Sequence, residues 1–392
     1  MKSCPNCNST NVTPFFELHG VPVHSVLLVH SQEEAKHFPR GDIELAFCND
    51  CSFIYNQAFD PDKESYSSQY EETQGFSPTF NAFHRKLAEQ LIDRYDLHDK
   101  EIIEIGCGKG EFLTLLCDLG NNRGTGFDPA YISERNTSPA KDRMTFIKDF
   151  YSEQYSDYKA DFICSKMTLE HIPDTSRFIK TVRNSIGDHL ETKVFFQIPD
   201  ATRVFRDCAF WDIYYEHCSY FNPVSLKYLF QSNGFKVLNT WTDYDDQYLM
   251  IEAEPVADEE KDISLPSPDE VMEMKGIIKQ FVKVYHEKLV DWKIKLSDFK
   301  QHKRRVVIWG AGSKGVSFLT TLHINHEIPY GVDINPYKDG TFMAGTGQQI
   351  VKPEYLQNYQ PEIVIIMNPI YTREIQHALL QMDLSPELIA LT

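Results

Sequence analysis

No stretch of this sequence approaches the ~20 consecutive apolar residues that a helix needs to cross a bilayer, so a helical membrane protein is excluded. The opening residues Met1-Lys2-Ser3-Cys4-Pro5 lack the apolar core of a secretory signal peptide, and a cytoplasmic location with no membrane partner is the expectation. Positive charge is scarce as well. With 39 Lys and Arg against 57 Asp and Glu, the net charge of −18 argues against nucleic acid as the main partner. A small phosphorylated ligand stays open, because two or three local donors hold a diphosphate whatever the global charge. Internal repeats and low-complexity segments are missing, and at roughly 150 residues per domain the 392 residues divide into two or three unlike domains. In a reducing compartment nine cysteines, an odd number, point to metal ligands, packing or catalysis before disulfides.

Four of them come in two pairs, Cys4-Pro5-Asn6-Cys7 and Cys48-Asn49-Asp50-Cys51. Each C-x-x-C knuckle turns two thiolates toward one point, and together they supply the four soft ligands that zinc accepts in a tetrahedron. Four protein ligands leave no open position for water, so the metal would be structural.

Residues 1–75 therefore read as a zinc-binding module. From Phe80 onward an alternating α/β pattern sets in, with strand-like runs at Ile102–Ile105, Gly124–Phe127, Phe162–Cys164 and Val194–Ile198, and a helix over Thr175–Ile186. Phe235–Thr240 and Tyr248–Ala253 predict a closing antiparallel hairpin. This domain spans 76–256, and the acidic, proline-bearing stretch from Ala257 to Pro268 marks its end. In 257–304, Val271, Met274, Ile278, Phe281, Tyr285, Leu289, Trp292, Leu296 and Phe299 recur at steps of three and four. They form one face of a long helix, either packed on its own chain or acting as a dimer seam. A second α/β unit fills 305–392.

Within 76–256 the series Glu104-Ile105-Gly106-Cys107-Gly108-Lys109-Gly110 follows a strand and opens a helix, where glycines let backbone approach a ligand. Eighteen residues after Gly110, Asp128 ends the next strand and can accept hydrogen bonds from ribose hydroxyls. That spacing suits a dinucleotide or an adenosyl group. Glu104 before the first glycine and the closing hairpin favour the adenosyl group, and the E-x-G-x-G-x-G pattern resembles motif I of class I S-adenosylmethionine methyltransferases. The resemblance places Asp149 and Phe150 beside the adenine, and Ser165 in the strand-to-loop segment that passes the methyl donor.

The segment Trp211–Phe221 is dense in proton-exchanging groups: Tyr214, Tyr215, Glu216, His217 and Tyr220. A histidine beside a carboxylate can have its tautomer fixed and its basicity raised, as a general base requires. The order of two C-x-x-C pairs, E-x-G-x-G-x-G, Leu169-Glu170-His171, Y-x-E-H-x-S-Y and a terminal G-A-G-x-K-G turn resembles the zinc-containing deoxysugar C-methyltransferases over nearly the whole chain. That family methylates the carbon beside the ketone of nucleotide-linked keto sugars. The resemblance implies a Rossmann-like methyltransferase domain between a zinc module and a C-terminal Rossmann-like α/β domain, with S-adenosylmethionine and structural zinc as cofactors. It makes His217 the base, lets Tyr214 and Glu216 position the sugar or assist proton transfer, and sets His171 near the ketone oxygen. Tyr70 is a weaker match to a tyrosine that follows the zinc module. Three stretches depart from the sugar enzymes: Glu71–Phe76, Asp245–Tyr248 and Asn368–Tyr371.

The last motif, Gly310-Ala311-Gly312-Ser313-Lys314-Gly315, follows Val306–Trp309, and Asp333 stands eighteen residues after Gly315. Alone it reads as a dinucleotide fingerprint, which keeps a nicotinamide-dependent oxidoreductase as the alternative. Only about eighty residues remain for that fold, and Lys314 suits a phosphate. The family resemblance assigns the turn to the nucleotide of the substrate; a turn that binds nothing is the remaining reading. Other small-molecule acceptors for O-, N- or C-methylation also stay open.

Overall fold

The computed structural model describes residues 3–64, 66–257, 263, 266–324 and 327–392, so 258–262 and 264–265 of the acidic boundary stretch lie outside the described residues. Apolar runs broken by turns become strands and assemble into three sheets. In the first, β1 (Val12–Pro22), β2 (Arg40–Cys48) and β3 (Ile54–Asn56) form an antiparallel ladder. Its fourth member, Ser219–Tyr220, comes from the middle of the chain and pairs with β3.

The second sheet is built from β4 (Glu101–Ile105), β5 (Arg123–Phe127), β6 (Met144–Ile147), β7 (Phe162–Lys166) and β8 (Lys193–Pro199), all parallel. With Ser219–Tyr220 counted as β9, the chain adds β10 (Phe235–Asp243) and β11 (Tyr248–Pro255) as the expected hairpin, in the order β10-β11-β8-β7-β4-β5-β6. β11 alone runs opposite to the other six strands of this sheet. Ile102, Ile103 and Ile105 are buried, as a central strand covered on both faces requires. Because β4 is flanked by β5 on one side and β7 on the other, the winding reverses there, and ligands bind outside the carboxyl ends at such a switch point.

The third sheet repeats the device. Strands β12 (Val306–Trp309), β13 (Tyr330–Val332), β14 (Gln349–Val351), β15 (Ile363–Ile366) and β16 (Glu387–Ala390) are parallel in the order β14-β13-β12-β15-β16, with the reversal at β12. Each glycine-rich turn thus follows the strand at which its sheet reverses.

Helix Pro268–Gln301 starts at a capping box of Ser267 and Glu270, and it packs on its own chain. Val271, Met274, Ile278, Phe281, Tyr285, Trp292 and Leu296 are buried, and Leu289 and Phe299 lie against the same core. Phe281 meets Phe16 of β1 at 5.3 Å and Phe205 at 5.1 Å, while Trp292 stands edge-on to Phe318 at 5.0 Å. The helix therefore bridges the first sheet and the helix Ser313–Leu322 after the second glycine turn.

Polar ties close the assembly. Asn222, which caps helix Pro223–Ser232, donates to the Ser52 carbonyl at 2.7 Å, and Asn6 donates to the Ser225 carbonyl at 3.1 Å. Glu71 is fully buried and accepts from Arg135 at 2.6 Å and from Asn335 at 2.8 Å, joining all three parts through one carboxylate.

Candidate active site

A cavity of about 530 Å³ opens where the carboxyl ends of β4 and β7 face that of β12. The first glycine turn forms one wall. Gly106 (φ +71°) and Gly108 (φ +53°) occupy the left-handed region, and a Cβ on Gly106 would sit 2.0 Å from Thr168 Oγ1. Asp128 borders the cavity and accepts the amides of Gly108 at 2.9 Å and Ala130 at 2.7 Å, fixing the end of β5 to the turn. Glu104 accepts the Leu113 amide at 2.9 Å, and burial pushes its carboxyl up to about 8. Asp149, held below the usual carboxylate range by the Tyr155 hydroxyl and the Phe150 amide, borders the cavity beside the exposed Phe150 ring.

Two residues read from the sequence as cofactor contacts lie outside the lining. Gly110 caps helix Glu111–Gly120, and a Cβ there would meet the Phe146 ring at 2.6 Å, so the glycine serves packing. Ser165 is buried within β7, and the next residue, Lys166, borders the cavity in its place.

The proton-exchanging residues gather on the opposite side. Tyr214 and His217 both face the cavity, with the Tyr214 hydroxyl 2.9 Å from His217 Nε2. His171 stands edge-on to His217 at 4.9 Å, and its Nδ1 lies 3.0 Å from the Tyr66 hydroxyl. Burial holds His217 well below the usual histidine range, with His171 and Lys314 adding to the effect, and brings His171 down to about 4. Both rings are therefore neutral near pH 7, and burial lowers the basicity that a neighbouring carboxylate is expected to raise. Tyr70 packs against Tyr66 at 5.0 Å in the same wall.

Glu216 does not share that site. Its carboxylate accepts the Ser25 amide at 3.0 Å and the Ser25 hydroxyl, and it pairs with His24 Nδ1 at 3.1 Å. Successive side chains here diverge, so Glu216 faces His24 and Ser25 of the N-terminal segment while His217 faces the cavity. The carboxyl near His217 is Glu170, whose Oε1 lies 4.0 Å from Nε2. Glu170 is 1% exposed, and neither of its oxygens has a hydrogen-bond partner among the described residues. Burial pushes it up to about 8, so it is a neutral acid at physiological pH. Sequence reasoning misses Glu170 and Tyr66: Glu170 stands in the Leu-Glu-His motif with no role assigned to it, and Tyr66 carries no local signal.

The second glycine turn supplies the far wall. Gly310 (φ +111°), Gly312, Ser313 and Lys314 border the cavity, as does Asp333, which pairs with Lys338 at 3.1 Å. Gly315 does not, because a Cβ there would lie 2.5 Å from the Gly310 carbonyl; it lets the helix pack on the turn. Lys314 contacts Asp212, whose other oxygen accepts from Arg203 at 2.8 Å. The three departures from the sugar enzymes meet at one place. Gln247 and Asn368 exchange amide hydrogen bonds at 3.1 and 2.9 Å, and Tyr371 donates to Gln74 at 2.9 Å while accepting from Tyr244 at 2.8 Å.

Comparison with known proteins accords with this architecture. Residues 80–240 match the model of a methyltransferase domain, and residues 256–384 match the C-methyltransferase C-terminal domain. The C-methyltransferase NovU of Streptomyces niveus is 26% identical over 74% of this chain and 72% of its own length. The ribosomal RNA small subunit methyltransferase A of Mesomycoplasma hyopneumoniae is 27% identical, but over 29% of this chain and 38% of its own. Among solved structures, magnesium protoporphyrin IX methyltransferase from Synechocystis is similar with a TM-score of 0.34 at 16% identity, covering 45% of this chain and 84% of that one.

Replacing Gly106 by Ala adds a Cβ at positive φ, which costs about 1–2 kcal/mol. Calorimetric titration of Gly106→Ala is expected to show about tenfold weaker binding of S-adenosylhomocysteine, and undiminished affinity would remove this turn from the site. The chain belongs to the class I S-adenosylmethionine-dependent methyltransferases, and it carries the C-methyltransferase C-terminal domain behind the methyltransferase domain.

Proposed function

We propose that this enzyme methylates the carbon beside the ketone of a nucleotide-linked keto-deoxysugar. The observation that carries the reading is the shared cavity: a neutral His217 with Tyr214 and Glu170 faces the same space as both glycine-rich turns. The C-methyltransferase C-terminal domain and the relationship to NovU support carbon as the methylated atom.

A carbon next to a ketone becomes nucleophilic only once deprotonated. His217 takes that proton, with the Tyr214 hydroxyl fixing its Nε2. Glu170, neutral through burial, donates a hydrogen bond toward the acceptor oxygen as negative charge develops, and His171 with Tyr66 borders the same space. Glu216 acts at one remove, holding His24 and Ser25 behind the tyrosine wall. When bound, S-adenosylmethionine supplies the electrophilic methyl; Gly106, Gly108, Asp128 and Glu104 border its place. For the nucleotide, Ser313 and Lys314 at a helix N-terminus, with Arg203 and Lys338 nearby, suit a diphosphate. A second reading, another small acceptor, is favoured by the Gln247–Asn368 pair and Tyr371, which fill the wall where the sequence departs from the sugar enzymes.

The cysteines fit zinc. The four sulfurs lie within 4.8 Å of one another, with Cys4–Cys51 at 3.7 Å and Cys7–Cys48 at 3.5 Å. Zn–S bonds of about 2.3 Å in a tetrahedron require S···S edges of about 3.8 Å. Each knuckle closes through a left-handed residue after its second cysteine, Asn8 and Ser52, both at φ 61°.

Metal analysis of the purified protein is expected to find one zinc per chain, with Cys51→Ser losing it together with thermal stability; a metal-free protein of full stability would refute the site. Turnover by His217→Asn should drop by roughly 10²–10⁴ while S-adenosylhomocysteine still binds. The wild-type rate should fall above about pH 8 as Glu170 ionises, since its raised pKa makes the neutral acid the form present below that pH. Glu170→Gln keeps a donor and cannot ionise, so it should remain active and lose that alkaline limb, whereas Glu170→Leu should be impaired at every pH. A Glu170→Gln profile identical to wild type would remove Glu170 from the mechanism.

A further inference from the structure

Three lysines are buried among the described residues: Lys109, Lys166 and Lys338. Two have counter-ions. Lys109 meets Glu72 at 3.3 Å and the carbonyls of Tyr70 and Ala130 at 2.7 and 3.0 Å, and Lys338 meets Asp333 at 3.1 Å. Lys166, at the carboxyl end of β7 and 9% exposed, has no carboxylate within 4.0 Å among the described residues. Its Nζ contacts His84 Nε2 and lies 4.1 Å from the centroid of the Phe112 ring. His84 is itself neutral, because burial and the lysine hold it well below the usual histidine range. An ammonium taken out of water without an anion is costly, and this one borders the cavity beside the first glycine turn.

We propose that Lys166, with His84 beside it, receives the carboxylate of the methionine part of S-adenosylmethionine. Lys166 offers that carboxylate a cation, while Glu104 of β4 and Glu111 of helix Glu111–Gly120 act on the lysine through space without pairing with it. The groups facing Lys166 are His84, Glu104, Glu111, Phe112 and Cys164, all of the methyltransferase domain. An acceptor phosphate has other cations at its disposal, Lys314 and Arg203, which come together at Asp212 below the second glycine turn. The assignment rests on the cofactor and is independent of which acceptor is methylated. Lys166 is thus a cofactor-positioning residue that would fix the methionine end and so orient the sulfonium methyl.

Calorimetric titration with two ligands tests this. S-adenosylhomocysteine carries the carboxylate, and 5′-methylthioadenosine has the same thioether nucleoside without the amino-acid group. Lys166→Met fills similar space against Phe112 and should keep the wild-type melting temperature. It is expected to bind S-adenosylhomocysteine about 10- to 100-fold more weakly, the loss of a charge-assisted hydrogen bond, and to bind methylthioadenosine as wild type does. Lys166→Arg should restore part of the preference. Equal weakening of both ligands, unchanged affinity for S-adenosylhomocysteine, or weakening of UDP in place of it would each overturn the proposal. Failure of the wild type to bind either ligand would instead overturn the cofactor site itself.

Discussion

A buried carboxylate must be met by donors, and two such groups hold this chain around its cavity. Glu216 accepts from Ser25 and pairs with His24, and the Ser25 hydroxyl reaches that of Ser313 at 2.8 Å, so the N-terminal segment is tied to the second glycine turn. Glu71 does the same at another edge through Arg135 and Asn335, and Arg135 in turn lies over the Tyr337 ring at 3.6 Å. Neither carboxylate can be lost without leaving uncompensated donors or charge inside the protein. The cavity walls come from separate parts of the chain, and their mutual position depends on these pairs.

Within those walls burial sets protonation. Both histidines are driven neutral and Glu170 is driven toward its acid form, which places an unprotonated imidazole and a protonated carboxyl within 4.0 Å of each other at the same pH. In water the histidine would be part-protonated and the carboxyl ionised, and that pairing of protonation states would vanish. The cations are kept apart from this cluster: Lys166 borders the first glycine turn and Lys314 the second. Lys314 still acts on His217 from a distance, disfavouring its protonation along with burial and His171.

Local features were legible in the sequence. The strands Ile102–Ile105 and Phe162–Cys164, the helix Thr175–Ile186 and the closing hairpin appear where hydrophobic period and glycine punctuation put them. The long helix was legible as a face, though not which elements it would cover. What period and motif do not carry is where neighbouring side chains point. Glu216 adjoins His217 in sequence yet turns to His24, while Glu170, forty-seven residues away, supplies the nearby carboxyl. Ser165 and Lys166 show the same one-residue ambiguity at the end of a strand. Gly110 and Gly315 match their motifs but answer to packing against Phe146 and the Gly310 carbonyl. The pairing of Ser219–Tyr220 with β3, which inserts part of the central segment into the first sheet, is a long-range contact that no local pattern announces.

That pairing gives the small first sheet a part in the site. β3 runs on from the second cysteine knuckle, and its partner strand Ser219–Tyr220 begins two residues after His217. Asn222, two residues further, donates to the Ser52 carbonyl beside Cys51. Folding of the cysteine knuckles is therefore coupled through one short ladder to the backbone that carries His217. After β3 the chain also delivers Tyr66 and Tyr70 to the cavity wall, Tyr70 near Val26 and Leu27 of the same module. The register set in β2 and β3 is thus the register that His217, Tyr66 and Tyr70 inherit, so the cysteine cluster can affect the cavity wall without bordering it.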